Sequence, residues 1–346
     1  MKVNTRSNCL SKPICRMARR YGELRPAAIL TLVCLFMGMC PPVPAFAQSK
    51  PSASICVVVP HFKDEYWLSV GFGLQEQAAQ SRVDLLFYES GGYLALSRQI
   101  PLLETCLSKG VDAILLGAVS AEAPQMLAAV KAASQSVPVL ALVNALRAPD
   151  LAASIGVDWR DMGDAVGAYL AKTHPKGTAP VRVGFITGPK DSGWSPLLEN
   201  GLRQALADSS VEIVTTRHAD TGLREQLREV EAVLAEIPDL DYVIGSAPAI
   251  EGAMGLAAQN VEKFPKLIAT YISHSVRRGL QSGKVLAVPF DDPVAQGRLG
   301  VLAALRAING DISPTLIGPD IKLIDTNNPD KDRLPLAPAG LVLAIE

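Results

Sequence analysis

The stretch ICVVVPHFKDEYW, Ile55 to Trp67, joins a continuous apolar run to a turn that carries acidic and aromatic side chains. The apolar run predicts a buried strand, and residues 67 to 80 follow with apolar side chains at helical spacing. In an open α/β sheet, ligands bind beyond the carboxyl ends of the strands, which is where this turn lies. A phosphate-binding turn would carry glycines, whereas this one carries Asp64, Tyr66 and Trp67. We therefore predict that it forms half of an aromatic cage for a small, cation-like polar solute.

Strand and helix patterns alternate from this stretch onward, and most of the strands are continuous apolar runs. Such runs are typical of parallel strands that helices cover on both faces. The alternation breaks near residue 150 and then starts again. We predict an α/β fold of two doubly wound parallel-sheet lobes with a ligand cleft between them. The predicted N-terminal lobe comprises residues 54 to 150 plus 289 to 310, and the predicted C-terminal lobe comprises residues 156 to 288 plus 311 to 346.

The first 47 residues have the order of a secretory signal peptide. Seven basic residues precede the apolar run Ala27 to Met39, and Ala45-Phe46-Ala47 provides the small residues of a cleavage site before Gln48. The apolar run is short for a membrane span, although an uncleaved anchor stays an alternative. We expect a signal peptide over residues 1 to 47 and an exported mature protein.

Composition indicates a globular protein with a large core, because 49% of the 346 residues are hydrophobic and 19% are charged. Without the leader, 26 basic and 33 acidic residues remain, a net charge of about −7. This acidic balance argues against a nucleic acid as partner. Cys56 and Cys106 are the cysteines that remain after the leader. They form either a disulfide, which an oxidising compartment permits, or two buried thiols.

Aromatic residues concentrate at the predicted strand ends. Phe, Trp and Tyr make up 5% of the chain, yet five of the eighteen lie at the expected cleft. Aromatic faces attract a diffuse positive charge such as a methylated ammonium, carboxylates add negative potential near it, and tyrosine hydroxyls can donate to an anionic oxygen. Packing of these rings in the core or at a hinge is the alternative. The predicted ligand-binding residues are Asp64, Tyr66, Trp67, Tyr93, Asp158, Trp159 and Tyr271.

Other site chemistries have weak support. Gly71-Phe72-Gly73 resembles the start of a dinucleotide-binding fingerprint, but these glycines fall inside a helix pattern and fit helix packing better. The loop Gly188 to Gly193 lacks the Gly-Lys-Ser/Thr ending of a P-loop. The four histidines share no metal-ligand spacing, and no base, nucleophile and orienting group come together. We therefore predict no metal, no cofactor and no enzymatic activity.

The chain resembles the type I periplasmic binding proteins over nearly all of residues 54 to 310. The resemblance rests on the two predicted lobes, the junction Gly156-Val157-Asp158-Trp159 and the late helix after Asp292-Pro293. Within that family, the stretch from Pro60 to Val70 and Gly91-Gly92-Tyr93 are similar to a branch that senses trimethylamine N-oxide.

This resemblance implies that the five aromatic residues named above enclose a bound trimethylamine N-oxide, with Asp64 close by. It also implies that the mature protein is periplasmic and has a partner, the periplasmic domain of a membrane sensor histidine kinase. The kinase would belong to a two-component system that controls anaerobic respiration on trimethylamine N-oxide.

Two other functions stay open. A solute receptor of an ABC transporter for sugars or quaternary amines would keep the fold, but sugar sites need several Asn, Asp and Arg side chains, and the strand ends here have few Asn and Arg residues. An exported oxidoreductase or hydrolase acting on the amine oxide would need a cofactor fingerprint or a catalytic set. We therefore favour a binding protein that senses its ligand.

Overall fold

Apolar runs form the strands of two parallel sheets in the computed structural model, which describes residues 53–259, 264–313 and 315–346. The predicted signal peptide lies outside the described residues. From the first half of the chain come β1 (Ala53–Val59), α1 (Glu65–Ser81), β2 (Val83–Glu89), α2 (Leu96–Ser108), β3 (Ala113–Leu116), α3 (Pro124–Ser134), β4 (Val139–Leu142), β5 (Ala153–Ile155) and α4 (Trp159–Thr173).

The second half continues the same alternation. Its elements are β6 (Val181–Thr187), α5 (Ser195–Leu206), β7 (Val211–His218), α6 (Leu223–Glu236), β8 (Tyr242–Gly245), α7 (Ala247–Ala257), β9 (Lys266–Ala269), α8 (His274–Gln281), β10 (Ala287–Phe290), α9 (Pro293–Ile308), β11 (Leu316–Ile317) and β12 (Lys322–Asp325). The predicted alternation is confirmed, and α8 is an addition that the sequence pattern did not indicate.

Each sheet is the core of one lobe. The first has the order β11-β5-β4-β3-β1-β2 and the second the order β7-β6-β8-β9, with parallel pairing throughout. β3, β4 and β8 are buried along their whole length, because helices cover both faces of each sheet. Helix α9 packs on α1 and on the first sheet, so the chain returns to the N-terminal lobe after β10. The predicted two-lobed α/β fold is confirmed.

The tail after α9 differs from the prediction, which placed residues 311 to 346 in the C-terminal lobe. Strand β11 pairs with β5 at the edge of the first sheet, and Ile345 bridges Phe87 of β2 at the opposite edge. Strand β12 pairs antiparallel with β10, and the carbonyl oxygens of Leu334 and Ala337 bond to side chains of α8, so other parts of the tail contact the C-terminal lobe. A two-residue strand such as β11 has too little periodicity to show its partner in the sequence. The other lobe boundaries, near residues 150 and 288, stay predictions.

Glycines allow the helix of each cleft wall to lie close to its neighbour. A Cβ atom on Gly73 of α1 would come 2.0 Å from the carbonyl oxygen of Val294 in α9, and one on Gly163 of α4 would come 2.0 Å from that of Leu198 in α5. Both contacts are too close for any side chain. The interpretation of Gly73 as a helix-packing residue is thus confirmed.

A disulfide joins Cys56 of β1 to Cys106 of α2, with a Cα–Cα distance of 5.8 Å. Both residues are fully buried. This settles the alternative between a disulfide and two free thiols. The bond ties helix α2 to the strand that leads into the predicted site.

Candidate functional site

A small cavity of about 230 Å³ lies between the two lobes, at the carboxyl ends of the strands. Six of its ten lining residues belong to the predicted site. The cavity is lined by Asp64, Tyr66, Trp67, Tyr93, Val143, Asn144, Trp159, Trp194, Thr221 and Tyr271.

The two lobes present their aromatic side chains in the same way, from the first turn of a helix that an aspartate caps. Asp64 accepts a hydrogen bond from the backbone N–H of Tyr66 (3.0 Å), which starts α1 so that Tyr66 and Trp67 face the cleft. Asp158 accepts from the N–H of Arg160 (2.9 Å) and starts α4 at Trp159. Such caps are among the preferred starts of helices. The acidic and aromatic pattern therefore fixes both walls locally.

The indole ring of Trp67 lies against the end of strand β3. A Cβ atom on Gly117 would come 2.5 Å from its Cη2 atom, so a glycine is required there. Trp67 is 2% exposed, and its ring centroid lies 6.4 Å from that of Tyr66. Beside it, the hydroxyl of Tyr93 accepts from the side-chain amide of Asn144 (3.1 Å). The wall formed by the N-terminal lobe is thus a connected set of rings.

The rings approach one another closely enough to form a continuous enclosure. Tyr66 and Tyr271 lie 5.4 Å apart between ring centroids, in an edge-to-face arrangement. Trp159 lies 6.3 Å from each of them. These spacings fall in the range of favourable aromatic pairs. The structure therefore brings together all five of the aromatic residues that the sequence singled out.

Trp194 is a sixth ring of this cage, and sequence reasoning missed it. Its centroid lies 5.4 Å from that of Trp159 and 5.7 Å from that of Tyr271. It follows the loop Gly188 to Gly193, whose sequence favours a place at the cleft rim or on the lobe surface over a phosphate-binding role. The available signal was composition, because the chain has three tryptophans and the other two had already been assigned to the cleft.

Asp158 lies outside the cavity. Its side chain is 42% exposed, caps α4 and approaches Arg160 to 3.6 Å. It lines a separate groove beside the cleft. The structure therefore shows this carboxylate as part of a helix start and leaves Asp64 as the acidic group of the cavity.

Two buried carboxylates hold the tyrosine hydroxyls. The Tyr271 hydroxyl donates to Asp64 Oδ2 (2.7 Å), and the Tyr66 hydroxyl donates to Asp291 Oδ2 (2.6 Å). Gln296 also donates to Asp291 Oδ2 (2.8 Å). Burial raises the pKa of Asp64 and that of Asp291 to about 6, although these hydrogen bonds oppose the shift. Asp291, in the turn before α9, is a positioning residue that the sequence did not reveal.

These raised pKa values predict that the protein loses stability as pH rises from about 4 to 7. The unfolded chain has an ordinary aspartate pKa near 4, so the folded state binds the proton more tightly in this window. A pKa of about 6 corresponds to a loss of roughly 3 kcal/mol for each carboxyl. We expect Asp291→Asn to remove the contribution of one carboxyl to this pH dependence, as measured by urea unfolding between pH 4 and 7. If the free energy of unfolding fell equally with pH in wild type and variant, the prediction would be wrong.

Further hydrogen bonds join the lobes around the cavity. His61, which had no role in the sequence analysis, is buried, with Nε2 3.3 Å from Asp220 Oδ1 and 3.1 Å from Thr221 Oγ1 of the C-terminal lobe. Asp220 Oδ2 accepts from the backbone N–H of Tyr93 (2.9 Å). A Cβ atom on Gly92 would come 2.4 Å from the same oxygen, so the glycine lets the lobes approach. The structure is therefore that of a closed cleft.

The described part of the chain shows no group of three or more His, Cys, Asp or Glu residues placed to hold a metal ion. Among the same residues, no helix has the length and apolar character needed to span a membrane.

Comparison with known proteins identifies related chains. A family model for the periplasmic binding protein domain matches residues 55–312. The periplasmic protein TorT of Escherichia coli K12 is 35% identical over 296 residues, which are 85% of this chain and 84% of TorT.

Two solved structures are similar in both fold and sequence. The complex of the TorS sensor domain with TorT in the presence of TMAO matches with a TM-score of 0.74 and 33% identity, over 85% of this chain and 100% of the matched chain. An ABC transporter solute binding protein from Bradyrhizobium sp. BTAi1 with bound bis-tris matches with a TM-score of 0.70 and 34% identity, over 86% and 90% of the two chains.

Proposed function

This chain belongs to the periplasmic binding protein domain family, and we propose that it senses trimethylamine N-oxide in the cavity between its lobes. The predicted periplasmic location is confirmed by the family and by the TorT relative. The observation that carries the proposal is the enclosure itself: six aromatic rings and one buried carboxylate surround about 230 Å³.

The lining and the charge of the cavity fit a small methylated amine. The faces of Trp and Tyr rings attract the diffuse charge of an N-methylated nitrogen, at about 0.5 to 2 kcal/mol for each contact. Asp64 adds negative potential, and the described residues that line the cavity include neither lysine nor arginine. A sugar would instead require several polar side chains directed at its hydroxyls.

Signalling follows from the contacts that close the cleft. The hydrogen bonds from Tyr271 to Asp64 and from His61 to Asp220 exist only when the lobes are together. A ligand favours this arrangement by as much as its affinity for the closed state exceeds that for the open state.

We propose that a periplasmic domain of a sensor histidine kinase binds the surface that changes on closure. The TorT relative is found in a complex with the TorS sensor domain, which supports this partner. The kinase would regulate anaerobic respiration on trimethylamine N-oxide, and the binding protein would not be an enzyme.

Calorimetry on the mature chain tests the proposal directly. Titration with trimethylamine N-oxide is expected to give saturable binding, and glucose or bis-tris at the same concentrations is expected to give little heat. Gel filtration with the periplasmic domain of the kinase from the same organism is expected to show a complex. Turnover of the amine oxide, or the absence of binding, would count against a sensor.

A solute receptor for an ABC transporter is the second candidate. It is supported by the Bradyrhizobium protein, which is 34% identical and is described as an ABC transporter solute binding protein with bound bis-tris. Bis-tris is a tertiary amine that bears hydroxyl groups. Binding of such hydroxylated amines in the same calorimetric series, without binding of trimethylamine N-oxide, would favour this candidate.

A further inference from the structure

Trp194 carries a buried hydrogen-bond donor that has no partner among the residues that the structure describes. The residue is 2% exposed, lines the cavity, and its Nε1 atom makes no hydrogen bond. A buried donor left without an acceptor costs about 1 to 3 kcal/mol. Such a group in a binding cavity is suited to an acceptor that the ligand brings.

Four other residues around the cavity have side-chain donors that already have acceptors. The hydroxyls of Tyr66 and Tyr271 donate to carboxylates, and the indole of Trp159 donates to the carbonyl oxygen of Val143 (3.0 Å). Both hydrogens of the Asn144 amide have acceptors, the Tyr93 hydroxyl and the carbonyl oxygen of Ala118.

Two hydroxyls at the cavity also have partners. That of Tyr93 lies 3.4 Å from Asn144 Oδ1, and that of Thr221 lies 3.1 Å from His61 Nε2. Asp64, with a pKa of about 6, is mostly an acceptor at neutral pH. Among the described side chains that line the cavity, Trp194 is the one with a buried polar atom that has no hydrogen-bond partner.

We propose that Trp194 is the residue that selects for an oxygen on the ligand, its indole N–H donating to the anionic oxygen of an amine oxide. This inference rests on the proposed function and deepens it. The ring faces recognise the methylated nitrogen and accept any small quaternary ammonium. The indole N–H distinguishes among such ligands, because a ligand without an acceptor leaves this buried donor unpaired.

The test compares two ligands of similar size, trimethylamine N-oxide and tetramethylammonium, which lacks the oxygen. Calorimetry on the mature wild-type chain is expected to show tighter binding of the amine oxide. Trp194→Phe keeps an aromatic ring and removes the N–H, so we expect its preference for the amine oxide to fall by roughly tenfold to a hundredfold. A preference equal to that of wild type would overturn the proposal.

Trp159→Phe is the matched control. It also removes an indole N–H from the cage, but one that is bonded to Val143. This variant is expected to weaken both ligands together and to leave their ratio near the wild-type value. A change in the ratio as large as that for Trp194→Phe would assign the effect to ring packing and overturn the role of Trp194.

A measurement on the wild-type chain does not depend on the variants folding. In a protein labelled with 15N-tryptophan, one indole N–H resonance is expected to move downfield with trimethylamine N-oxide and to lack this shift with tetramethylammonium. Equal shifts with both ligands would overturn the selective donor while leaving a methylammonium cage intact. Binding of neither ligand would overturn the proposed function, and the inference with it.

Discussion

Trp67→Ala is expected to reduce binding of trimethylamine N-oxide below detection by calorimetry. The substitution removes a ring that lines the cavity and fills the space above Gly117. It also leaves a void in a buried site, at a cost of about 3 to 5 kcal/mol in the free energy of unfolding. The sequence alone predicted the loss of binding, and the burial of Trp67 adds the loss of stability.

A control must separate the two effects of this substitution. Phe87→Ala removes a similarly buried ring from the same lobe, on β2, where it packs on Phe62 at 5.8 Å and does not line the cavity. We expect it to lower stability comparably and to retain binding at temperatures where both variants are folded by circular dichroism. If Trp67→Ala bound the ligand within threefold of wild type, the aromatic cage would not be the binding site.

The aromatic wall was predictable from sequence because it depends on one topological fact. Carboxyl ends of parallel strands meet at one edge of a sheet, so residues that follow different strands are neighbours. Tyr66, Tyr93 and Trp159 each follow a strand or start the next helix, and the structure places them together. The continuous apolar runs of the strands likewise made the parallel-sheet fold predictable.

Residues that reach the site from distant parts of the sequence could not be predicted in this way. Asp291 reaches Tyr66 from 225 residues away, and Asp220 reaches Tyr93 from 127 residues away. Neither side chain has a local pattern, since each follows a strand as an ordinary turn aspartate. Asp158 shows the converse: its place beside Trp159 suggested a ligand contact, yet the carboxylate turns back to cap its own helix. The positions of residues at strand ends predict where the cleft lies. The direction in which each side chain points depends on contacts with residues that are distant in sequence.

Replacing Cys56 and Cys106 together with alanine is expected to lower the free energy of unfolding by about 4 kcal/mol. The disulfide joins residues that are 50 positions apart, and a cross-link of that span removes this much conformational freedom from the unfolded chain in the loop-entropy description. Binding of trimethylamine N-oxide is expected to persist, because Cys56 lies three residues, or roughly 10 Å, before the end of β1. The bond therefore stabilises the lobe without contributing to the cavity.

Urea unfolding with and without a reductant separates the bond from the packing of its atoms. Wild type is expected to unfold at lower urea when reduced, whereas the double variant should unfold at the same urea concentration in both conditions. Because both sulfur atoms are fully buried, the double variant also loses some packing, which appears as the difference between it and the reduced wild type. A reductant that left the wild-type transition unchanged, with free thiols confirmed by alkylation, would show that the cross-link does not stabilise this lobe.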